Sequence, residues 1–169
     1  MTTGAVAAPA PAPTQETPWH EAFPAPRTKA AAISRSEVLG WLKDVSKKSS
    51  LVDFVLIDVR RADHEGGTIS TSINLPAQSL YPSIPTVYSI FKQAGVKKVI
   101  WYCGSSRGRG TRTSGWFADY ILEKEGESAG GMQSLVLEGG IKGWVGAGEE
   151  YVEHIVGYKA SAWKGTEGA

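Results

Sequence analysis

A single cysteine, Cys103, stands where an apolar run ends and a glycine-rich turn begins, Cys103-Gly104-Ser105-Ser106-Arg107-Gly108-Arg109-Gly110. The run before it, Lys97 to Tyr102, predicts a strand, and the residues from about Thr111 to Glu125 predict a helix. Where a strand hands over to a helix through such a turn, successive backbone amides can converge on an anion. The first turn of the helix adds the positive end of its dipole. Both effects favour an anionic sulfur at Cys103, and so would a neighbouring guanidinium. A thiolate in that position is a nucleophile, and its target is whatever the turn holds.

Arg109 follows Cys103 with five residues between them. This spacing lets the turn and the guanidinium surround three oxygens of a phosphate-sized ion, two of them bound bidentately by the arginine. The expected site is therefore Cys103 as nucleophile and Arg109 as clamp, with Gly104, Ser105, Ser106, Arg107 and Gly108 forming the oxyanion-binding loop. A hydroxyl from Ser105 or Ser106 could hydrogen-bond the sulfur. The plainer alternative is a buried structural cysteine beside a solvated basic turn. The strand-ending position, the spacing and the glycines together count against it.

The elements that must hold this loop can be read on either side of it. Residues 1–30, dominated by Ala, Pro and Thr, predict a disordered tail in which Trp19 and Phe23 are the bulky exceptions. The catalytic domain is expected over 31–158, with a second tail over 159–169. Ser34 and Glu37 fit a capping box, with Val38, Leu42 and Val45 at helical spacing behind it. Phe54 to Val59 is a nearly continuous apolar run, as expected for a parallel strand buried on both faces. Ser72 to Leu75 is a weaker strand, a helix is predicted over Pro85 to Ala94, and Leu135 to Leu137 forms a last strand. A final amphipathic helix is expected over Glu149 to Val156. Strands alternating with helices predict an α/β domain with a mainly parallel sheet.

Composition narrows the function classes. A net charge of +1 argues against a nucleic-acid or membrane-surface partner. One cysteine excludes a disulfide within the chain and suits a reducing compartment, so the cytoplasm is expected, with the nucleus also compatible. The N-terminus lacks the regions of a signal peptide, and Glu16 and Glu21 are out of keeping with a mitochondrial presequence. His20 and His154 have no partners at metal-ligand spacing, so no metal site is expected. His64 and Glu65 read as a surface turn.

Three ordered motifs carry a family resemblance. Leu56-Ile57-Asp58-Val59-Arg60, with Gly66-Gly67-Thr68-Ile69 and Ser72-Ile73-Asn74-Leu75-Pro76, resembles the first signature of the rhodanese homology domain. Leu137-Glu138-Gly139-Gly140-Ile141-Lys142-Gly143-Trp144 resembles its closing signature, and the cysteine loop lies between. The resemblance implies a rhodanese-like three-layer domain with a mainly parallel central sheet flanked by helices. It also implies that Asp58 and Arg60 form a structural pair supporting the first loop. Sulfurtransferases of this family usually have a shorter active loop. The cell-division-cycle dual-specificity phosphatases and the fungal arsenate reductases have a longer one, whose pattern Cys103, Ser106, Arg109, Gly110 and Arg112 match in turn. Two positions depart from that branch: Tyr102 stands where many members have a histidine, and Gly108 where some phosphatases have an acid. The missing acid removes a proton donor that an alkoxide or phenoxide leaving group would use.

The implied activity is arsenate reduction, phosphomonoester hydrolysis or both, through Cys103 and on a small oxyanion or phosphorylated substrate, with no bound cofactor. As a reductase the chain has no second cysteine to resolve its adduct, so an external thiol, glutathione with glutaredoxin, is the expected partner. The alternatives are a thiosulfate-type sulfurtransferase with a Cys103 persulfide, for which Arg107 is an extra cation, and a non-enzymatic interaction module.

Overall fold

In a computed structural model of the chain, residues 17–47, 53–127 and 131–165 are described. The first half contains β1 (Ala31–Ile33), α1 (Arg35–Lys47), β2 (Phe54–Asp58), β3 (Thr68–Ile69), β4 (Ile73–Asn74), α2 (Ala77–Leu80) and α3 (Ile84–Gln93). The second half contains β5 (Lys98–Tyr102), α4 (Arg109–Glu125), β6 (Gln133–Leu137), α5 (Gly140–Val145), α6 (Glu149–Val152) and β7 (Ile155–Val156). The two apolar runs, β2 and β5, pair in parallel near the middle of a five-stranded sheet ordered β1-β6-β5-β2-β4. Every pairing in that sheet is parallel.

A strand buried on both faces must send alternate side chains into two separate cores. In β5, Ile100 and Tyr102 enter one core with Val38, Leu39 and Leu42 of α1 and Ile141 and Trp144 of α5. Val99 and Trp101 enter the other, against Trp116 and Phe117 of α4 and Val87 and Phe91 of α3, and Cys103 continues that row. The result is a three-layer α/β domain. The capping box forms as expected: Ser34 Oγ accepts from Glu37 N–H, and the Glu37 carboxylate accepts from Ser34 N–H. The side chain of Val45 lies outside the described residues.

Three elements differ from the sequence reading. The helix expected over Glu149 to Val156 stops at Val152, and Ile155 and Val156 instead pair antiparallel with Ile69 and Thr68. The strand β1, short and alanine-rich, joins the sheet beside β6 although nothing in its composition announces a strand. Trp163, in the segment read as a tail, is buried, and its indole donates to Gly66 O at 2.9 Å.

The N-terminal side behaves similarly. Residues 1–16 lie outside the described residues, but those from Trp19 to Ala30 pack along α4. Trp116 Nε1 donates to Pro24 O at 2.7 Å, and Asp119 accepts from the N–H groups of Arg27 and Thr28. Phe23 stacks against Tyr81 and meets Trp116 edge-on, 5.1 and 5.8 Å between centroids. The fit is close at Gly115, where a β-carbon would lie 2.7 Å from the Pro26 side chain. Among the described residues, no helix is long and apolar enough to cross a membrane.

Candidate active site

The alternation of β5 delivers Cys103, buried, at the carboxyl end of the sheet. Open parallel sheets bind their ligands at that end. The backbone leaves the strand pinned from one side. Ile141 N–H donates to Cys103 O at 3.0 Å, and Lys142 N–H donates to Gly104 O at 2.9 Å. The start of α5 is thus docked against the loop. Gly140 makes the docking possible: its φ is +58°, and a β-carbon there would collide with the carbonyl oxygens of both Cys103 and Gly104. This contact accounts for the second glycine of the closing motif.

The loop then turns back under itself at Ser106, a non-glycine residue at φ +56°. Such a conformation costs of order 1–3 kcal/mol and persists only when its surroundings impose it. Here Ser106 Oγ accepts from Cys103 N–H at 3.4 Å, and Thr111 Oγ1 donates to Ser106 O at 2.5 Å. The loop amides have a different fate. Among the described residues, none accepts a hydrogen bond from the N–H groups of Gly104 through Gly108. Backbone donors left without an acceptor at the amino end of a long helix, here the 17-residue α4, are the kind of groups that suit a negative ligand.

Cys103, Gly104, Ser105, Gly108 and Arg109 line one cavity of about 550 Å³. Across it stands Asp63, whose carboxylate takes Arg109 bidentately, Nη1 to Oδ1 at 2.7 Å and Nη2 to Oδ2 at 2.5 Å. The hydrogen bonds from Arg109 hold the Asp63 carboxyl well below the usual carboxylate range, against the opposing effect of partial burial. In return Asp63 holds the guanidinium more firmly protonated, and the negative charge of a Cys103 thiolate adds to this. A guanidinium has five N–H donors, so a fork closed on Asp63 leaves others for an oxyanion. Arg112 and Lys142 add two further cations to the wall.

Asp63 is positioned by a buried polar network. Arg60 pairs with Asp58 (Nη2 to Oδ2, 2.6 Å), donates to Gly67 O at 2.7 Å and reaches Asp63 O at 3.5 Å. Thr68 Oγ1 donates to Asp58, and Asn74 Nδ2 binds the carbonyls of Asp58 and Arg60. Tyr102, at the position where many members of the resembled phosphatase and reductase branch have a histidine, turns away from the cavity into this network. Its hydroxyl donates to Ser72 Oγ, accepts from Ile69 N–H and lies 2.8 Å from Thr68 Oγ1. Burial and the Asp58 charge push the phenol above its ordinary range, so it stays neutral.

Of the residues expected to form the site, Cys103, Gly104, Ser105, Gly108 and Arg109 meet at the cavity. Ser106 instead braces the loop from beneath, with its hydroxyl on the Cys103 amide, and Arg107 is exposed outside the cavity wall. Asp58 and Arg60 lie in the supporting network. Sequence reasoning missed Asp63, Lys142, Trp19 and His20, all of which line the cavity. Lys142 could have been found, because it lies inside the closing motif two residues after Gly140. Asp63 had no such signal: its partner Arg109 is 46 residues away. Among the described residues, no cluster of metal-ligating side chains is present.

The rhodanese-like domain family model matches residues 38–147. Arsenical-resistance protein 2 of Saccharomyces cerevisiae is 28% identical over 98 residues, covering 54% of this chain and 74% of that protein. Among solved structures, the As-Sb reductase from Leishmania major superposes with a TM-score of 0.55 at 24% identity, over 66% of this chain and 73% of that one. Ygr203w, a yeast protein tyrosine phosphatase of the rhodanese family, superposes with a TM-score of 0.63 at 21% identity, over 81% of this chain and 99% of that one. Motif order, sheet topology and the family match agree: this chain belongs to the rhodanese-like domain family.

Proposed function

We propose that the protein is a thiolate enzyme acting on a tetrahedral oxyanion, as an arsenate reductase, a phosphatase or both, with Cys103 as nucleophile and Arg109 as oxyanion clamp. The observation that carries this reading is the shared cavity, in which Cys103 and Arg109 meet with Gly104, Ser105 and Gly108 of the loop. Donors fixed in advance around developing negative charge supply the largest share of stabilisation in many such reactions. The names of the yeast arsenical-resistance relative and the Leishmania reductase favour the arsenate arm, and that of Ygr203w the phosphatase arm.

In the reductase arm, the Cys103 thiolate displaces water from arsenate and forms a Cys103–S–As(V) adduct. An external thiol then attacks the Cys103 sulfur. The S–As bond breaks, its electron pair reduces As(V) to arsenite, and a mixed disulfide remains. A second external thiol must open that disulfide, because the chain contains one cysteine. Glutathione with glutaredoxin fits both steps. In the phosphatase arm the adduct is a phosphocysteine that water hydrolyses. The protein works in a reducing compartment such as the cytoplasm, where the thiol survives.

The deciding experiment assays the purified protein in parallel on arsenate with a glutathione–glutaredoxin system, on an aryl phosphate, and on thiosulfate with cyanide. Turnover of an oxyanion is expected, and Cys103→Ser should abolish it. Thiocyanate formation without turnover of arsenate or aryl phosphate would instead make the protein a sulfurtransferase.

A further inference from the structure

The cavity wall includes two residues that precede the family-matched region. Trp19 and His20 belong to a short 3₁₀ turn, Trp19–Ala22, and both line the same cavity as Cys103 and Arg109. The family match begins at residue 38, so this part of the wall is supplied by chain outside it. The turn is held in place along α4. Trp19 meets Trp116 edge-on with centroids 6.1 Å apart, Phe23 packs on Trp116 and Tyr81, and Trp116 donates to Pro24 O. The helix that supplies Arg109 at its start therefore also positions His20 further along.

The cavity needs what an imidazole offers. Cleaving a phosphomonoester puts negative charge on the leaving oxygen, and a proton donor stabilises it. The loop has Gly108 where an acid could have stood. Asp63 is ionised and closed on Arg109 by two hydrogen bonds. The remaining charged groups on the wall, Arg109, Arg112 and Lys142, are of types that hold their protons too tightly to transfer them at neutral pH. Imidazole is the side chain suited to giving and taking a proton there. That of His20 is partly buried, and among the described residues nothing hydrogen-bonds to it, so neither nitrogen is committed elsewhere. At about 550 Å³ the cavity is also in the range that accommodates a small organic ligand, not only an inorganic ion.

We infer that His20 is the proton donor for phosphomonoesters with poorly acidic leaving groups in this cavity, an inference that rests on the phosphatase arm of the function proposed above. The Cys103 sulfur attacks phosphorus and the S–P bond forms. The P–O bond to the leaving group breaks, its electron pair stays on that oxygen, and the oxygen takes the proton of the His20 imidazolium and departs as a neutral alcohol or phenol. The imidazole, now neutral, accepts a proton from the water that attacks phosphorus. The S–P bond breaks, inorganic phosphate leaves, and both the thiolate and the imidazolium are restored.

The test compares kcat/KM of the full chain and its His20→Gln variant on phenyl phosphate, whose leaving group needs a proton, and on 2,4-dinitrophenyl phosphate, whose leaving group does not. The variant should lose about a hundredfold on phenyl phosphate and less than about threefold on the dinitrophenyl ester. Added imidazole should restore part of the phenyl phosphate activity to a His20→Ala variant. A residue that only shapes the cavity would lower both substrates alike. Equal losses on the two esters, or no loss on either, would overturn the inference while leaving the role of Cys103 intact. If the unmodified protein shows no Cys103-dependent turnover of either ester, the phosphatase arm fails and the inference fails with it.

Discussion

Two aspartate–arginine pairs lie close together in this protein, in very different surroundings. Asp58 and Arg60 are 1% and 2% exposed, enclosed by Thr68, Asn74 and the Gly67 carbonyl. Asp63 and Arg109 are 52% and 24% exposed and border the cavity. The buried pair has no water to fall back on, so neither partner can leave without stranding the other. The outer pair is solvated and screened, so its contribution to stability is small. That weakness suits the clamp proposed above, in which Arg109 would divide its donors between Asp63 and an arriving oxyanion. The inner pair fixes the backbone, and the outer pair aims a side chain.

The sharpest test of this contrast is to break the inner pair. Asp58→Ala should destabilise the fold by about 3–5 kcal/mol, because Arg60 is left charged and buried. Urea denaturation measures this, and a loss below about 1 kcal/mol would mean that the surrounding carbonyls suffice for Arg60. At the outer pair the effect should move from folding to activity. Arg109→Lys replaces a planar fork with a point charge, and kcat/KM on whichever oxyanion is turned over should fall by about 10² to 10³, equivalent to about 2.7–4 kcal/mol. Its urea midpoint should stay near that of the parent protein.

Asp63→Asn should act more gently. It keeps the side-chain size but loses the charge that orients the guanidinium, so kcat should fall by about tenfold, with a stability change below about 1 kcal/mol. Steady-state kinetics and denaturation on one preparation separate the two effects. The smallest effect should be the pH dependence of that stability difference. The Asp63 carboxyl sits below its ordinary range in the folded protein, so on acidification the unfolded chain takes up the proton first. The pair's contribution should therefore be constant above about pH 5 and fade as pH falls below about 4. A contribution that faded near neutral pH would contradict the depressed carboxyl.

These two pairs also mark the border of what could be read from sequence. Asp58 and Arg60 are near neighbours inside an apolar strand motif, so their pairing is local. The Asp63–Arg109 contact depends on how the segment between β2 and β3 folds back over the end of β5, and no short-range pattern records that. The same holds for β7. Ile155 and Val156 fit the apolar face of a predicted helix, yet become a strand because Thr68 and Ile69 offer an edge. Central β2 and β5 were legible because burial on both faces leaves only apolar residues, whereas β1, three residues long, carried too little pattern. Around the cysteine, spacing identified the loop but not which side chains face inward. Ser106 turned under the loop and Arg107 outward because of a left-handed turn that serine spacing does not reveal.

The seating of α5 against the cysteine loop bears on how such a pocket could be resized. Gly140 abuts the carbonyls of Cys103 and Gly104 with no spare room, so an extra residue at that end would pry helix and strand apart. Gly108, past the braced Ser106, has no such neighbour: a β-carbon there would meet nothing within 4 Å. Insertions that widen the rim for bulkier substrates should be tolerated at this one point, while the stretch from Cys103 to Ser106 stays constant.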